Sequence, residues 1–447
     1  MLNAFKLFDV DSDIKLFYHG DSMGLFPLDV QEDKELISYL NKTENMQIKN
    51  KDEEIENWIN SCIDDLPTHS RININENFEP KLQTLVLPIA SSCNLKCPYC
   101  FAQTSDGGFA YSDYNEESID NLLMLLKKYN HQTSTTLVFF GGEPLIRYDL
   151  IKYTVNKIKE KYNELNIGYS ITTNGTLITK ERAKFLKENN FAILVSMDGF
   201  ENEYNYRHFI NGKSSVNRVL TNMNLLKEMN VPFQIRATIT SDNPYIYETY
   251  RFFEELKYPF NIAFAYSSEN KSNEKLNIFD EKCIDQIKKA FDKLLKYYTK
   301  KIESKEPIFN TLFLSLGDIL EYRVHREHVC AAGYTFYTVM SNGDIYTCAH
   351  LMNNPEYSMG KISDFVSLNQ NSCSSISRSI LSIEDCENCW AKYLCVGGCT
   401  SQKLTMGIAA NKSFPKRQCE VERSVFEFYV KLYYIYKTIS SNDNICK

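Results

Sequence analysis

The segment that decides the fold is residues 84–101, TLVLPIASSCNLKCPYCF. Its apolar, β-branched first half, residues 84–90, predicts a buried strand, and Cys93, Cys97 and Cys100 follow directly after it. The spacing C-x3-C-x2-C is tight, and the residues between the cysteines are small or turn-forming. Three thiolates this close can converge on one cubane iron–sulfur cluster, but they supply only three of its four iron ligands. One iron is left open for a substrate.

This loop resembles the radical S-adenosylmethionine (radical SAM) superfamily. There the open iron is chelated by the amino and carboxylate groups of SAM, and the cluster donates an electron that cleaves SAM to a 5′-deoxyadenosyl radical. In the family an aromatic residue at the position of Tyr99 packs near the adenine, and its backbone contributes to base recognition. The alternative is three buried structural cysteines, since free Cys is a common core residue. Metal-type spacing in an intracellular chain favours the cofactor.

Apolar runs alternate with helical patterns from residue 84 to 302, which predicts a parallel sheet with outer helices. The predicted strands are 84–90, 136–140, 168–172, 192–196, 233–240 and 261–266. The predicted helices are 116–129, 149–162, 179–189, 214–229, 245–256 and 281–301. Six strand–helix units are two short of a closed (β/α)8 barrel, so the sheet is expected to keep a lateral mouth wide enough for a peptide. This partial (β/α)6 barrel is the core architecture of radical SAM enzymes.

Residues 1–80 form a separate block in the sequence. Short strands are predicted at 4–10, 14–19 and 24–28, and helices at 31–40 and 52–62. This order resembles the small winged-helix domain that binds leader peptides in peptide-modifying enzymes, and the resemblance is topological. A plain N-terminal extension packed on the catalytic domain is the alternative. The predicted division is therefore 1–80 for leader recognition, 81–310 for the partial barrel and 311–447 for a cysteine-rich C-terminal domain.

The ends of the later predicted strands carry residues suited to SAM. Gly141-Gly142-Glu143-Pro144 follows the second strand and resembles the family segment that binds the SAM amino group. Glycines there let the backbone approach a ligand, and a carboxylate can accept hydrogen bonds from an ammonium group. The third and fourth strands end in short polar groups suited to the ribose and the SAM carboxylate, namely Thr172, Asn174 and Ser196.

Arg236 lies in the fifth predicted strand, on one face with Gln234 and Thr238. Its guanidinium can give the SAM carboxylate a two-pronged, charge-assisted hydrogen bond. Ser196 together with Arg236 matches the carboxylate pair that the family resemblance implies, and Asp198 is interpreted as structural. A structural salt bridge is the alternative role for Arg236.

Seven further cysteines form a second array, in the pattern C-x12-G-x4-C, then C-x2-C-x5-C-x3-C, then a last cysteine. They are Cys330, Cys348, Cys386, Cys389, Cys395, Cys399 and Cys419, with Gly343 as the glycine of the pattern. This resembles the SPASM extension, which carries auxiliary iron–sulfur clusters. A zinc ribbon could use the two CxxC-like pairs but would not explain seven ligands behind such a barrel.

The resemblance implies two ligand sets for auxiliary [4Fe-4S] clusters, which makes three clusters in all. One set is complete with Cys386, Cys389, Cys395 and Cys419, and the other has three members, Cys330, Cys348 and Cys399. A three-ligand cluster has a free iron that could bind a substrate thiolate. Cys373 could instead supply an eighth ligand and close that site. The remaining isolated cysteines, Cys62, Cys283 and Cys446, are interpreted as packing or surface thiols.

Length, charge and hydropathy exclude several classes of function. A chain of 447 residues is long enough for two or three domains. The net charge of −7, without long charged blocks, argues against a nucleic-acid partner. No stretch of eighteen apolar residues is present, so no membrane span is predicted. The start MLNAFKLFDVDSD does not match a signal peptide, and a cytoplasmic location is expected.

Together these patterns predict a radical SAM/SPASM oxidoreductase that matures a ribosomally made, Cys-containing peptide with a leader. The specific hypothesis is thioether formation, as in enzymes that make sactipeptides and ranthipeptides, with reduced flavodoxin or ferredoxin as electron donor. One rival is an anaerobic sulfatase-maturing enzyme, which makes formylglycine. That family usually has eight auxiliary cysteines and a catalytic Asp where this chain has Ala349. Further rivals are peptide carbon–carbon cross-linking, peptide epimerisation and a non-catalytic role as an iron–sulfur electron carrier.

Overall fold

The computed structural model describes residues 4–44, 52–64, 66, 69–71, 81–103, 109–129, 134–200, 205–242, 244–266, 279–367 and 379–445. The N-terminal block begins with an antiparallel three-stranded sheet in the order β1 (Phe5–Asp9), β2 (Ile14–His19) and β3 (Gly24–Asp29), which we call the N-terminal sheet. Helices α1 (Lys34–Glu44) and α2 (Glu53–Asp64) follow, and then the short strand β4 (His69–Arg71). Three strands followed by two helices is the predicted order, with boundaries that differ by a few residues.

Six strand–helix units follow, as the alternation of apolar runs predicted. They are β5 (Thr84–Ala90), α3 (Glu116–Tyr129), β6 (Thr135–Gly141), α4 (Tyr148–Lys161), β7 (Ile167–Thr173), α5 (Lys180–Glu188), β8 (Ala192–Ser196), α6 (Val216–Glu228), β9 (Phe233–Ile239), α7 (Ile246–Leu256), β10 (Phe260–Phe264) and α8 (Glu281–Glu303). All six strands run parallel, and neighbours in sequence are neighbours in the sheet. This confirms the α/β fold class with a parallel sheet.

Local sequence explains why these segments form these elements. Strand β5 is buried along nearly its whole length, as in parallel sheets covered on both faces. Helix α4 buries Leu150, Ile151, Val155 and Ile158, which lie on one face at helical spacing. Two other helices begin at a residue whose side chain caps the helix. The Thr179 side chain accepts a hydrogen bond from the backbone N–H of the third residue of α5, and the Asp280 side chain accepts one from the third residue of α8.

The C-terminal third adds more regular structure than its loop-rich sequence suggested. Its elements are α9 (Thr311–Glu321), β11 (Val324–Arg326), β12 (Phe336–Val339), β13 (Asp344–Tyr346), β14 (Ser358–Lys361), α10 (Lys392–Cys395), α11 (Thr400–Thr405) and α12 (Lys416–Ile445). Helix α12 begins directly after Pro415, which suits a helix start. Its aromatic residues pack in the core, with Phe428 and Tyr429 buried.

The C-terminal strands extend the main sheet past its first strand. The order is β10-β9-β8-β7-β6-β5-β12-β13-β14, and β12 pairs in parallel with β5, with Phe336 opposite Thr84. In the described part of the chain β10 has β9 as its single neighbour, so the sheet is open on that side. Strand β11 similarly pairs with β4. Backbone pairing thus crosses both predicted domain boundaries, which stay a prediction. None of the described helices is long and apolar enough to cross a membrane.

Candidate SAM and iron–sulfur site

The three cysteines of the first array lie in the loop that leaves β5 at its carboxyl end. The Leu95 N–H donates to the Cys93 sulfur at 3.4 Å, and the Asn174 amide donates to the same sulfur at 3.7 Å. Burial is the main cause that raises the pKa of Cys93 to about 11 and that of Cys97 to about 12. These thiols are therefore neutral without a bound cation, and binding iron requires the loss of their protons.

Two glycines allow the loop after β6 to pack closely against the cysteine loop after β5. A Cβ on Gly141, whose φ is +124°, would lie 2.5 Å from the Ala90 carbonyl oxygen, and one on Gly142 would lie 2.1 Å from the Ser92 carbonyl oxygen. Backbone hydrogen bonds accompany this approach, from Gly142 to Ala90 at 2.8 Å and from Glu143 to Ser92 at 2.9 Å. This close approach, which we call the Gly141–Gly142 cradle, holds the loop after β6 in direct backbone contact with the cysteine loop.

Glu143 is fully buried, and the protein itself satisfies its carboxylate. It accepts from the Leu145 N–H at 3.0 Å, the Thr173 hydroxyl at 2.7 Å and the Asn174 N–H at 2.7 Å. Pro144 is buried in the short 3-10 turn that Glu143 caps. In the described structure Glu143 therefore ties the loop after β6 to the loop after β7. Its predicted contact with the SAM ammonium stays a prediction.

We expect Gly142→Ala to weaken SAM binding about tenfold or more, because the new methyl group must push the two loops apart at a cost of about 1–3 kcal/mol. The measurement is the dissociation constant of SAM for the anaerobically reconstituted protein. Gly168→Ala is the matched control, since its nearest neighbour to a Cβ is Thr136 at 3.5 Å. Equal affinities for both variants would show that the cradle does not position SAM.

The predicted carboxylate pair lies on neighbouring strands. Ser196, the last residue of β8, is directly opposite Arg236 in β9. The burial pattern of β9 confirms the predicted alternation, with Gln234, Arg236 and Thr238 on the less buried face. The Arg236 guanidinium donates to the Asn261 side chain at 3.1 Å. Thr172 lies in β7, one strand further along the sheet.

A buried ion pair that the sequence did not reveal lies beside the first cysteine array. The Arg207 guanidinium donates to the Asp198 carboxylate at 2.9 Å, and Tyr99 donates its hydroxyl to the same carboxylate. The Thr238 N–H adds a third donor at 3.0 Å. Burial alone would lower the pKa of Arg207, but Asp198, Tyr99 and Cys97 together more than offset burial and raise the pKa. Asp198 is thus structural as interpreted, and it aims a permanent cation at the Cys97 region.

The Tyr99 ring lies next to this pair, with the Arg207 guanidinium 5.4 Å from its centroid. Its side chain therefore faces Asp198 and Arg207, while a contact with the adenine stays a prediction. Arg207 escaped sequence reasoning because it lies in an irregular loop with no periodic pattern. The signal that could have found it is the aspartate nine residues earlier at the end of β8, which needs a buried partner.

An aromatic stack connects the first and second cysteine arrays. Phe101, next to Cys100, stacks on His350 with ring centroids 3.7 Å apart, and on Phe140 at 6.0 Å. His350 lies two residues after Cys348, so the stack spans both cysteine loops. Burial and then the charge of Arg236 lower the pKa of His350 to about 4, and the imidazole is neutral near pH 7. Sequence reasoning named Ala349 but not His350.

The later cysteines influence one another in two groups, and their assignment to two clusters stays a prediction. Burial is the main cause that raises the pKa of Cys399 to about 12, and the neighbouring Cys348 and Cys330 raise it further. Burial and then Cys348 likewise raise the pKa of Cys330.

The other group is formed around Cys395. Burial raises the pKa of Cys395, and Cys389, Cys419 and Cys386 raise it further. Burial, followed by Cys389 and Cys419, raises the pKa of Cys386 to about 12. Cys373 lies outside the described residues, so its predicted role as an eighth ligand stays open.

The surroundings of these cysteines suit negatively charged clusters. Lys403 is completely buried, and its ammonium donates to the Ala410 and Lys412 carbonyls at 3.2 and 2.9 Å. A buried ammonium needs a counter-charge. Burial lowers the pKa of Lys403, and cysteines of both groups act in the opposite direction and raise it. Among the described residues no three His, Cys, Asp or Glu side chains converge on a single ion. The assignment of these cysteines to auxiliary iron–sulfur clusters stays a prediction.

The comparisons with known proteins agree with this site. Residues 87–255 match the model of the radical SAM superfamily. An uncharacterized protein of Methanocaldococcus jannaschii, MJ0907, is 30% identical over 60% of this chain and 86% of its own length. The chain belongs to the radical SAM superfamily, whose members use SAM and a [4Fe-4S] cluster.

Two further similarities concern larger parts of the chain. A cysteine-type anaerobic sulfatase-maturating enzyme of Clostridium novyi is 29% identical over 80% of this chain and 98% of its own length. The solved structure of native anSMEcpe with bound AdoMet has a TM-score of 0.66 at 23% identity and covers 80% of this chain and 99% of that one.

The structure of Streptococcus suis SuiB bound to its precursor peptide SuiA has a TM-score of 0.53 at 16% identity. It covers 93% of this chain and 99% of SuiB. These structural similarities show a shared fold.

Proposed function

We propose that this enzyme matures a ribosomally made peptide by forming thioether cross-links between a Cys sulfur and a carbon of the same peptide. Radical SAM membership and the ten cysteines in three groups support the radical chemistry. The N-terminal block is the observation that supports a peptide as the substrate. The likeness to SuiB leaves only 7% of the chain unmatched, about 31 residues, which is fewer than the 80 of that block, so the likeness extends into it.

The N-terminal sheet suits a leader peptide because an extended peptide can add a strand at a sheet edge. Its central strand β2 pairs with β1 and β3, so the two outer strands are the edges. At the β1 edge, Glu44 of α1 accepts from the Leu7 N–H at 3.5 Å and pairs with Lys6. The Glu44 side chain thus occupies a backbone donor that an added strand would need at the β1 edge. We therefore assign the leader peptide to the β3 edge.

The residues of the site divide the work in a simple way. When bound at Cys93, Cys97 and Cys100, the cluster and SAM supply a 5′-deoxyadenosyl radical, which removes a hydrogen atom from the peptide. The cradle of Gly141 and Gly142 fixes the position of SAM against the cysteine loop. Ser196 and Arg236 bind its carboxylate, while Asp198 holds Arg207 beside the loop as a fixed positive charge. The stack of Phe101 on His350 holds the loops of the two arrays together.

The second cysteine array would bind the peptide sulfur that enters the thioether bond. Cys330, Cys348 and Cys399 would hold a cluster by three ligands, so that its remaining iron could bind the substrate thiolate and keep that sulfur deprotonated. Cys386, Cys389, Cys395 and Cys419 would hold the complete auxiliary cluster. Each cross-link would remove two hydrogens from the peptide, one as the atom that passes to 5′-deoxyadenosine and one as the proton of the thiol. The electron left over when the sulfur bonds to the carbon radical would pass to the auxiliary cluster. Reduced flavodoxin or ferredoxin remains the predicted electron donor, and the cytoplasm the predicted location.

Sulfatase maturation is the second candidate, favoured by the similarity to the Clostridium novyi enzyme over 98% of its length. The residue after Cys348 is Ala349, where a sulfatase-maturing enzyme is expected to carry its catalytic Asp. His350, the next residue, has no carboxylate and stacks on Phe101.

The test is the mass of the short Cys-containing peptide encoded beside the gene, after anaerobic co-expression and treatment with a thiol alkylator. Loss of two hydrogens per link, with the linked thiols shielded from alkylation, is expected. The same loss with every thiol alkylated would mean carbon–carbon chemistry. An unchanged peptide, together with formylglycine in a sulfatase-derived Cys peptide, would replace the proposal with the second candidate.

A further inference from the structure

The N-terminal sheet packs directly on the loop between two cysteines of the complete auxiliary set. Trp390, the residue after Cys389, lies edge-on to the rings of Phe8 and Tyr18, with centroids 5.1 and 5.9 Å away. Phe8 comes from β1 and Tyr18 from β2. Residues about 370 positions apart in the sequence thus form one aromatic cluster.

The backbone at Gly20 approaches the backbone at Trp390 closely in this contact. A Cβ on Gly20 would lie 2.5 Å from the Trp390 carbonyl oxygen and 2.7 Å from that of Ala4. Asp21 forms an ion pair with Lys392, whose side chain is only 8% exposed and also donates to the Glu387 carbonyl at 2.9 Å. Charge pairing and close packing therefore fix the N-terminal sheet against the loop that follows Cys389.

Tyr18 brings an unused hydrogen-bond donor into this contact. Its side chain is completely buried, and its hydroxyl finds no hydrogen-bond partner among the described residues. A buried hydroxyl without a partner costs free energy, so such a group calls for an explanation. Burial raises the pKa of the Tyr18 phenol, and Cys389 is the neighbour that raises it most. Since the Tyr18 ring also contacts Trp390, the residue after Cys389, the free hydroxyl lies near a predicted cluster ligand.

We propose that the Tyr18 hydroxyl donates a hydrogen bond to a sulfur atom of the iron–sulfur cluster held by Cys386, Cys389, Cys395 and Cys419, so that the N-terminal sheet helps to set the reduction potential of that cluster. The inference rests on the auxiliary cluster assigned under the proposed function. Tyr18 is a positioning and tuning residue, since it touches neither the peptide nor SAM.

The direction of the effect follows from charge. One-electron reduction makes a cluster more negative, and a hydrogen bond to its sulfur stabilises the reduced form more than the oxidised form. The hydroxyl therefore raises the reduction potential and makes this cluster a better electron acceptor. Since the donor belongs to β2, the N-terminal block is connected chemically, and not only by packing, to the redox part of the enzyme.

The test is Tyr18→Phe in the full-length, anaerobically reconstituted protein, with a redox titration followed by electron paramagnetic resonance. We expect about a tenfold fall in the equilibrium constant for reducing one auxiliary cluster, which is ~59 mV to lower potential for one electron. The signal of the SAM-binding cluster and the iron content stay unchanged. The substitution removes a hydroxyl that has no partner among the described residues of the metal-free chain, so the fold is retained.

Tyr39→Phe is the matched control, because Tyr39 lies in α1 of the same block and donates to Glu56 instead. In wild-type protein exchanged into D2O, electron–nuclear double resonance should show a deuteron coupled to the reduced cluster that Tyr18→Phe lacks. Unchanged potentials in a fully loaded Tyr18→Phe protein would overturn the proposal. Loss of iron from this cluster alone would also overturn it, by assigning Tyr18 to cluster assembly. Wild-type protein with too little iron for auxiliary clusters would instead refute the underlying assignment.

Discussion

Replacing Cys97 with Ala is expected to abolish reductive cleavage of SAM. Cys97 is the middle of the first three cysteines, and the two remaining thiols cannot complete the three-ligand set that leaves one iron for SAM. The loss should be all-or-none, because among the described residues this loop holds no cysteine besides Cys93 and Cys100 that could replace Cys97. The measurement is 5′-deoxyadenosine formed after dithionite reduction, together with the iron content, which should fall by about four of roughly twelve per chain.

The control for this prediction is Cys62→Ala. Cys62 lies in α2 of the N-terminal block, partly exposed and outside both arrays. The variant should cleave SAM and bind iron as the wild type does. SAM cleavage by Cys97→Ala at the wild-type rate would contradict the assignment of this loop.

The second large effect is a separation of two activities in Cys348→Ala. This variant should still cleave SAM, because the first array, the Gly141–Gly142 cradle and Arg207 are intact. It should form no cross-linked peptide, because the substrate thiolate loses its iron. SAM is then consumed without product, and the ratio of 5′-deoxyadenosine to cross-links rises sharply. Both products are measured in the same reaction by mass spectrometry.

Cys283→Ala is the matched control here. Cys283 is a buried cysteine in α8 whose sulfur lies 3.6 Å from the Ser241 carbonyl, away from both arrays. It should lose some stability through the cavity but keep product formation. Cross-linking by Cys348→Ala at the wild-type level would remove the proposed role of the three-cysteine set.

The sequence was most informative where local chemistry decides the structure. Cysteine spacing predicted the three groups, because ligands of one cluster must come from a short loop or meet at fixed separations. Apolar periodicity predicted β5–β10 and their helices, since each strand of a parallel sheet is a continuous buried run. The glycines of residues 141–142 were singled out as a SAM-binding segment. The structure shows that the close approach of two carbonyl oxygens requires them, while their contact with SAM stays a prediction.

What the sequence did not reveal depends on contacts between distant residues. The pairing of β12 with β5 joins Phe336 to Thr84, and no periodic pattern specifies a partner so far away. The buried pair of Arg207 with Asp198 lies in an irregular loop. The contact of Tyr18 with Trp390 joins two regions whose sequences carry no common motif. Each of these depends on tertiary packing, which overrides local preference.

The measurement that tests the central claim most directly is the transfer of deuterium. The reduced enzyme is incubated with SAM and a fully deuterated form of the short Cys-containing peptide encoded beside the gene, and the 5′-deoxyadenosine is analysed by mass spectrometry. The account predicts one deuterium in the 5′-deoxyadenosine for each cross-link formed. Cross-linked peptide together with 5′-deoxyadenosine that contains no deuterium would contradict it, because the radical would not have attacked the peptide.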